Sequence, residues 1–355
     1  MKRKSLLISV VIVTFLIIIS GCNKEASTDN DDVDDKEKVT LKLSSFLPDT
    51  SAAQLHIIDP WIEEVEELTE GKVEFEVYPA EQLGKADQAL NLTKDGVADI
   101  SVITSNYFPD QMPLTNMLSS LPNLNESAEQ GSQAYQSLLE NNQDLVETDF
   151  ERNGVVPLVH VVSPPYAIWS TKEETRVPDD LKGVKIRSGG GAMNDMFEFI
   201  GASSISMSSA ELYEATEKGV VDAVALMNTT LESSGIDEII KFGTEVPVGR
   251  TVTGLVINQK TWEGLSDEVQ DAMIEANESG VVSSGKKYDE LIIEFDEKFE
   301  EQGGNLANLS DEEYQKWIDV FDEFNDEWIK KHSPGEYPYE EVLDEYVEYM
   351  EEYNN

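Results

Sequence analysis

The sequence has very few of the side chains on which most enzymes and disulfide-stabilised proteins depend. Among 355 residues there are one cysteine and three histidines. A single thiol excludes a disulfide or a cysteine-ligated metal site within one chain. The histidines, His56, His160 and His332, lie far apart, none belongs to an HExxH pair, and no serine stands in a GxSxG turn. The sequence therefore predicts no catalytic residue, no metal site and no cofactor.

Basic residues are also scarce. The chain has 26 Lys and Arg against 71 Asp and Glu, which gives a formal net charge of −45 at pH 7. A protein that binds nucleic acid needs cationic surface to neutralise phosphates. The charge balance therefore excludes nucleic acid as a partner. Counting leaves open an acid–base pair among the many carboxylates, although most of these must belong to solvated faces.

The first residues have the layout of an export signal. Three basic residues at 2–4 precede an apolar run at 6–19, which is shorter than the ~20 residues of a membrane-spanning helix. The run ends in Ser20-Gly21-Cys22, which resembles the lipobox of bacterial lipoproteins. The resemblance implies that 1–21 is a cleaved signal peptide and that lipid, such as palmitate, anchors Cys22 to the cell membrane. The alternative is an uncleaved anchor helix.

The segment 22–38 is rich in Asp, Glu, Lys, Ser and Asn and has almost no apolar residue. This composition predicts an acidic flexible tether between the lipid and the folded part. A calcium-binding loop is the sharper interpretation of its aspartates. Val33 weakens it, because an apolar residue stands where a calcium ligand is needed. The body of the protein is thus expected to be extracytoplasmic and tethered to a membrane face.

Apolar patterning after residue 38 alternates between strand and helix, which predicts an α/β fold with mostly parallel sheets covered on both faces. The pattern restarts halfway along the chain. The predicted strands lie at 39–43, 73–77, 100–103, 155–162, 184–187, 220–225 and 251–258. Because the last of these returns after the second unit, the chain is expected to cross between two domains. Domain I comprises 39–164 and 252–292, and domain II comprises 165–251 and 293–355, with a ligand cleft between them.

The C-terminal third predicts amphipathic helices. Its apolar positions repeat at three- and four-residue spacing on an acidic background, as shown by Tyr314, Trp317, Phe321, Phe324 and Trp328. Such a stripe could dock a partner. Packing against its own domain is the commoner meaning, and we expect it here.

Arg187 is the candidate on which the functional interpretation depends. It ends a short apolar strand and is followed by Gly189-Gly190-Gly191. A guanidinium can form two parallel hydrogen bonds to a carboxylate, and exposed amides of a glycine run could assist. The glycines match neither GxxxxGK[ST] nor GxGxxG, which argues against a nucleotide site. A salt bridge to an acidic side chain of the protein is the structural alternative.

Several motifs occur in order along residues 39–300. They include Tyr78-Pro79-Ala80-Glu81-Gln82-Leu83-Gly84, Lys94-Asp95-Gly96-Val97-Ala98-Asp99, Asp180-Leu181-Lys182-Gly183-Val184-Lys185-Ile186-Arg187 and Glu211-Leu212-Tyr213-Glu214-Ala215. Together these motifs resemble the solute-binding proteins of TRAP transporters. The resemblance implies a periplasmic-binding-protein-like fold, in which two α/β domains are joined by strands and a long connecting helix, with helices at the C-terminus. It also implies a non-enzymatic receptor that closes on a small organic acid and delivers it to a large and a small permease subunit.

The resemblance places Arg187 on the carboxylate of the ligand. Polar contacts of the sialic-acid-binding branch correspond here to Phe46, Thr104, Tyr107 and Ala167, so that Asn, Glu and two Arg are replaced by less charged groups. One arginine among aromatic neighbours favours a monocarboxylate with an apolar or aromatic body over a polyhydroxylated sugar acid. Trp169 and Tyr107 could instead be plain core. The predicted ligand-binding residues are Arg187, Phe46, Thr104, Tyr107, Tyr166, Trp169, Met227 and Asn228.

Three other functions remain open from the sequence. The receptor of an ATP-driven importer has the same two-domain plan. A surface lipoprotein with paired carboxylates could act as a hydrolase, and a structural lipoprotein would bind no small molecule. The ordered set of motifs favours the transporter receptor over all three.

Overall fold

The computed structural model describes residues 38–125 and 127–354. The predicted signal peptide, Cys22 and the predicted tether up to residue 37 lie outside the described residues. The strands are β1 Val39–Ser44, β2 Val73–Tyr78, β3 Ile100–Thr104, β4 Val155–Val162, β5 Ala167–Ser170, β6 Lys185–Ser188, β7 Ser203–Ser206, β8 Ala223–Leu226, β9 Phe242–Thr244, β10 Val252–Asn258 and β11 Asn305–Leu306.

The helices lie between these strands and at the C-terminal end. No helix within residues 38–125 or 127–354 combines the length and apolar character needed to cross a membrane. The α-helices are α1 Asp59–Leu68, α2 Ala89–Lys94, α3 Pro113–Ser120, α4 Ala128–Asn141, α5 Gln143–Asp149, α6 Ala192–Ile200, α7 Leu212–Glu217, α8 Asn228–Ser234, α9 Gln259–Gly264, α10 Asp267–Glu301, α11 Asp311–His332 and α12 Tyr339–Glu352.

The first sheet has the strand order β2-β1-β3-β10-β4. Leu41 and Leu43 of β1 are buried, as the alternation of apolar residues predicts. Strand β1 runs parallel to β2 and β3, whereas β10 runs antiparallel to β3 and β4. Four of the five strands therefore run in the same direction, as the prediction of a mostly parallel sheet requires, and β10 alone is reversed because it returns from the second sheet.

The second sheet has the order β11-β9-β5-β8-β6-β7. Strand β6 runs parallel to β7 and β8, so Arg187 lies opposite Ile205 on one side and Val224 on the other. The strand predicted at 220–225 begins later, at Ala223. Gly219 turns the chain at φ +67° and leaves Val220 47% exposed. The predicted α/β class is confirmed, with two sheets and helices packed on them.

The chain changes sheet twice within the described residues. Strand β4 of the first sheet ends at Val162 and β5 of the second begins at Ala167, and the return passes from Thr244 of β9 to Val252 of β10. The predicted boundary at 292/293 falls inside helix α10, which has no break there. The domain boundaries themselves stay a prediction.

Helix α10 packs against both halves of the fold. Its first half, with Val269 and Met273, belongs to the core beneath the first sheet, and its last turns, with Phe295 and Phe299, belong to the core beneath the second. Asn277 in the middle accepts a hydrogen bond from the Trp61 indole at 2.8 Å. This helix is the long connection that the sequence comparison implied.

Most of the apolar stripe of the C-terminal helices is buried, although Tyr314 is 41% exposed. Trp317 and Phe321 of α11 are fully buried, and the Trp317 indole donates to the carbonyl of Arg176 at 2.9 Å. Helix α12 packs on α4, where the Tyr346 hydroxyl donates to the Gly131 carbonyl at 3.3 Å. The stripe therefore serves packing, and α12 covers a helix that the predicted boundaries assign to domain I.

Candidate functional site

A cavity of about 360 Å³ lies between the two sheets. Its walls come from segments at strand ends, which is where open α/β sheets bind ligands. Phe46 follows β1, Thr104 ends β3, Met227 follows β8 and Thr251 precedes β10. Arg187 of β6 reaches the cavity from the second sheet. Among the lining residues, Arg187 is the only cation and Glu81 the only carboxylate.

The Arg187 side chain is fixed by main-chain carbonyls. Its Nε and one Nη donate to the Met207 carbonyl at 3.0 and 2.7 Å, and the other Nη donates to the Ala225 carbonyl at 3.2 Å. Only 2% of the residue is exposed. A guanidinium has five N–H donors, so these three bonds leave two. Within residues 38–125 and 127–354, no acidic side chain forms an ion pair with it. The arginine thus offers a charge and two donors to an external anion.

Five further predicted residues line the same cavity. They are Phe46, Thr104, Tyr107, Tyr166 and Met227. Phe46 and Tyr107 meet edge to face with ring centroids 5.7 Å apart, and the Tyr107 hydroxyl accepts from the Ser209 amide at 3.2 Å. The hydroxyls of Thr104 and Thr253 are paired at 3.1 Å. Contact of these residues with a ligand stays a prediction.

Trp169 does not line the cavity, which corrects its predicted place. Its indole donates to the Leu226 carbonyl at 3.0 Å, and its ring packs on Phe295 and Phe299 of α10. Successive residues of a strand face opposite sides of the sheet. Trp169 lies on the α10 side, and it is a core residue of the second sheet.

Asn228 and Ala167 also lie outside this cavity. Asn228 is buried and donates to the Asp296 carboxylate of α10 at 2.6 Å. Both Asn228 and Ala167 line a neighbouring cavity on the other side of Tyr166, together with Glu245. Burial, the nearby Glu245 carboxylate and a hydrogen bond to it raise the pKa of Asp296 to about 8. Asn228 therefore joins α8 to α10 rather than facing the Arg187 cavity.

The glycine run after Arg187 packs against the segment after β3 and against α3, and it does not line the cavity. Gly190 donates its amide to the Ser188 hydroxyl at 3.0 Å. A Cβ on Gly191 would lie 2.0 Å from the Asn116 side-chain oxygen, and Gly190 at φ +111° lies against the main chain of Asn106. The expectation that these amides support the anion is wrong, because the chain turns away from Arg187 to contact Asn106, which follows β3, and Asn116 of α3.

Several lining residues were not predicted. Ser209 and Thr251 contribute directly to the cavity, as does Glu81. Thr251 stands next to Arg250, at the start of the return strand, and strand-end polarity was the signal that could have identified it. Ala80 and Glu81 both have positive φ, 50° and 62°, although neither is glycine. Such backbone strain concentrates at functional sites.

Burial governs the electrostatics of the site. Tyr166 is buried against the cavity, and burial raises the pKa of its phenol well above the usual range, an effect that the nearby Arg187 charge opposes. The phenol is therefore a neutral hydrogen-bond donor at physiological pH. In the part of the chain that the structure describes, no three His, Cys, Asp or Glu residues are grouped to hold a metal ion.

The sequence from residue 43 to 331 matches the family described as bacterial extracellular solute-binding protein, family 7 (DctP). The chain belongs to this family. The predicted resemblance to TRAP transporter receptors is thereby confirmed, and so is the general function of a solute-binding receptor. A solute-binding protein of Albidiferax ferrireducens is 26% identical over 266 residues, covering 72% of this chain and 75% of the relative.

Solved structures of TRAP receptors have the same fold as this chain. A marine metagenome TRAP solute-binding protein specific for aromatic acids, solved with 3-hydroxybenzoate, has a TM-score of 0.83 at 24% identity and covers 90% of this chain and 100% of its own. A TRAP periplasmic solute-binding protein from Bordetella bronchiseptica, solved with mandelate, has a TM-score of 0.80 at 25% identity, with 89% and 100% covered.

Proposed function

We propose that this protein is the extracytoplasmic receptor of a TRAP-type secondary transporter and captures a small monocarboxylate with an apolar or aromatic body. One observation carries the proposal. The Arg187 guanidinium is buried, is held by the carbonyls of Met207 and Ala225, and keeps two donors without a carboxylate partner among the described residues. A buried charge needs a counterion, and an organic acid entering the cavity supplies it.

The composition of the cavity wall favours one carboxylate on an apolar body. Phe46, Leu47 and Met227 supply apolar surface around the single arginine. A second carboxylate of a ligand would find no second cation in this wall, and Glu81 would repel it. The aromatic acids named for the two similar structures agree with this class of ligand.

The family supports the remaining parts of the proposal. A receptor of this kind delivers its solute to a large and a small membrane permease subunit and catalyses no reaction. Lipidation of Cys22 would keep it at the outer face of the membrane, with 22–38 as the tether. Closure of the two domains around the ligand would exclude water and strengthen the arginine contact in a lower dielectric.

Calorimetric titration of the purified protein with benzoate, phenylacetate and mandelate tests the proposal. We expect saturable binding of at least one acid, and a loss of about 2–5 kcal/mol in Arg187→Ala, because truncating one partner of a buried charge pair costs that much. Arg187→Lys keeps the charge but loses the planar guanidinium, so its affinity should lie between those of the unmodified protein and Arg187→Ala. Arg176→Ala is a matched control, since Arg176 pairs with Glu174 and Glu313 away from the cavity. Unchanged affinity in Arg187→Ala would falsify the role of this residue.

A further inference from the structure

The wall of the Arg187 cavity contains one carboxylate, and half of that carboxylate is unused. Glu81 is half-buried and follows β2 of the first sheet, whereas Arg187 belongs to the second sheet. One Glu81 carboxylate oxygen accepts from the Ala86 amide at 3.2 Å. The other oxygen has no hydrogen-bond or ion-pair partner among the described residues, and it is accessible to solvent. The cavity wall therefore holds a carboxylate with one free and accessible acceptor.

The backbone holds Glu81 in a conformation that most side chains disfavour. Ala80 and Glu81 have φ of 50° and 62°, in the left-handed region. Their amides donate to the carbonyls of Leu47 and Ser45, at 2.9 and 3.2 Å, on either side of Phe46. Such a conformation persists only where the surrounding structure fixes it, and it concentrates at functional sites. Glu81 is thus anchored beside Phe46, which is itself part of the cavity wall.

Glu81 lies where the Arg187 cavity adjoins a second open space. Glu81 and Tyr107 line both the Arg187 cavity and a neighbouring cavity of about 500 Å³, whereas Arg187 lines only the first. Within residues 38–125 and 127–354, Arg187 and Glu81 form no ion pair with each other. One cavity therefore has a cation and an anion in its wall at separate places, and neither charge neutralises the other by contact.

We infer that Glu81 is a specificity-determining residue that accepts a hydrogen bond from a donor group of the ligand, a hydroxyl or an ammonium, at a distance from the carboxylate that Arg187 binds. The inference deepens the proposed function and rests on it. The ligand class is then an apolar or aromatic monocarboxylate with a donor substituent away from its acid group. The same residue disfavours a ligand with a second acid at that place, because like charges brought together reduce affinity.

Calorimetric titration with a matched set of benzoates tests the inference. The set is benzoate and its meta and para derivatives with a hydroxyl, an aminomethyl or a second carboxylate group. We expect the unmodified protein to bind at least one hydroxy or aminomethyl derivative about tenfold more tightly than benzoate, because a hydrogen bond to a charged group is among the stronger ones. Both dicarboxylates should bind more weakly than benzoate. The tighter of the two donor classes identifies the group that Glu81 recognises.

Glu81→Gln reverses the polarity of the free position. The glutamine oxygen can keep the Ala86 amide, and its NH₂ group, a donor, then replaces the free carboxylate oxygen. The preference for the donor-bearing acid over benzoate should fall about tenfold, while benzoate binds as tightly as before or more tightly. The dicarboxylates should bind more tightly than they do to the unmodified protein. A merely structural role of Glu81 would instead weaken all the acids by the same factor.

A second variant and a control complete the experiment. Glu81→Gly removes the carboxylate and adopts the positive φ without strain, so it should also lose the preference and keep benzoate binding. Glu211→Gln is the control. Glu211 lines the neighbouring cavity but not the Arg187 cavity, and its carboxylate accepts from the Ser208 amide and hydroxyl, both at 3.3 Å. Its affinity ratios should equal those of the unmodified protein, and thermal unfolding establishes that each variant is folded.

Two results would overturn the inference alone. One is a preference for the donor-bearing acid that persists in Glu81→Gln and Glu81→Gly. The other is binding of benzoate by the unmodified protein as tight as that of every donor-bearing acid. Failure of the proposed function has a different signature, because none of the acids would then bind and Arg187→Ala would change nothing. That result overturns the inference as well.

Discussion

The phenolic oxygen of Tyr107 accepts a hydrogen bond from the Ser209 main-chain amide, with an N···O distance of 3.2 Å. Tyr107 follows β3 of the first sheet, and Ser209 follows β7 of the second. Both residues line the Arg187 cavity. The bond therefore joins two walls of the cavity that come from different sheets, and it is available only when these walls are close together.

Removing this acceptor should shorten the lifetime of the complex. Tyr107→Phe keeps the ring and its edge contact with Phe46, but leaves the Ser209 amide without its partner. We expect affinity to fall by about 2–10-fold, the equivalent of the 0.5–1.5 kcal/mol of a neutral hydrogen bond. The change should appear mainly as faster dissociation. Stopped-flow displacement of the bound acid measures it.

Tyr213→Phe is the matched control for this prediction. Tyr213 also lines the cavity, but it is 39% exposed and its hydroxyl forms no hydrogen bond with the described residues. The bound acid should dissociate from Tyr213→Phe at the same rate as from the unmodified protein. Equal rates for Tyr107→Phe and Tyr213→Phe would show that the cross-cavity bond has no effect on release.

The glycine at 191 should be intolerant of any side chain. Its φ is +60°, and a Cβ would lie 2.0 Å from the Asn116 side-chain oxygen. Gly183 at φ +78° has the same backbone requirement and nothing within 4 Å of its Cβ position. Gly183→Ala should thus cost only the backbone strain of order 1 kcal/mol. Gly191→Ala should cost more, because the glycine loop and α3 must also separate.

Urea denaturation of the two variants gives the comparison. The double variant Gly191→Ala, Asn116→Ala removes the obstructing oxygen and should recover part of the loss. An equal free energy of unfolding for Gly191→Ala and Gly183→Ala would contradict the close approach of the glycine loop and α3.

The stability of the protein should depend on pH through Asp149. This buried carboxyl accepts from the amides of Leu114 and Thr115, at 3.3 and 2.6 Å, and burial raises its pKa to about 7. An unfolded aspartate has a pKa of about 3.9. Between these values the folded state holds a proton that the unfolded chain has released. The contribution of Asp149 to the free energy of unfolding therefore falls as pH rises from about 4 to 7.

Urea denaturation between pH 4.5 and 8 checks this sign. Asp149→Asn keeps a side-chain acceptor but has no proton to exchange. The free energy of unfolding of the unmodified protein, relative to the variant, should decrease with rising pH and level off above 7. The comparison with the variant is needed because His160 has the opposite pH dependence. Burial lowers the pKa of His160 to about 4, so the contribution of His160 to the free energy of unfolding rises with pH. The same pH dependence of the free energy of unfolding in the unmodified protein and in Asp149→Asn would contradict the raised pKa of Asp149.

The sequence predicts the strand that carries Arg187 because the signals are local: the apolar strand before Arg187 and the turn after it lie within a few residues. Contact of Arg187 with a ligand stays a prediction. The place of Phe46 and Thr104 at strand ends is likewise a local property, since open α/β sheets gather such ends along one edge.

The failures depend on contacts between distant parts of the chain. Trp169 faces α10 because Phe295 and Phe299 pack there, more than 120 residues later in the sequence. The glycine run packs against Asn106 and against Asn116 of α3 and does not bind an anion in the cavity. No pattern near Trp169 or Gly191 specifies these partners, so local periodicity cannot decide which face of a strand or loop meets the cavity.

Helix α10 carries a consequence for how the protein denatures. Because Val269 and Met273 are part of one core and Phe295 and Phe299 part of another, loss of either core leaves half of a 35-residue helix without its packing surface. Most of the stability of a helix in a protein comes from tertiary packing of its apolar face rather than from helix propensity. The two halves should therefore melt together, as a single calorimetric transition, and neither half cut from the chain should fold by itself.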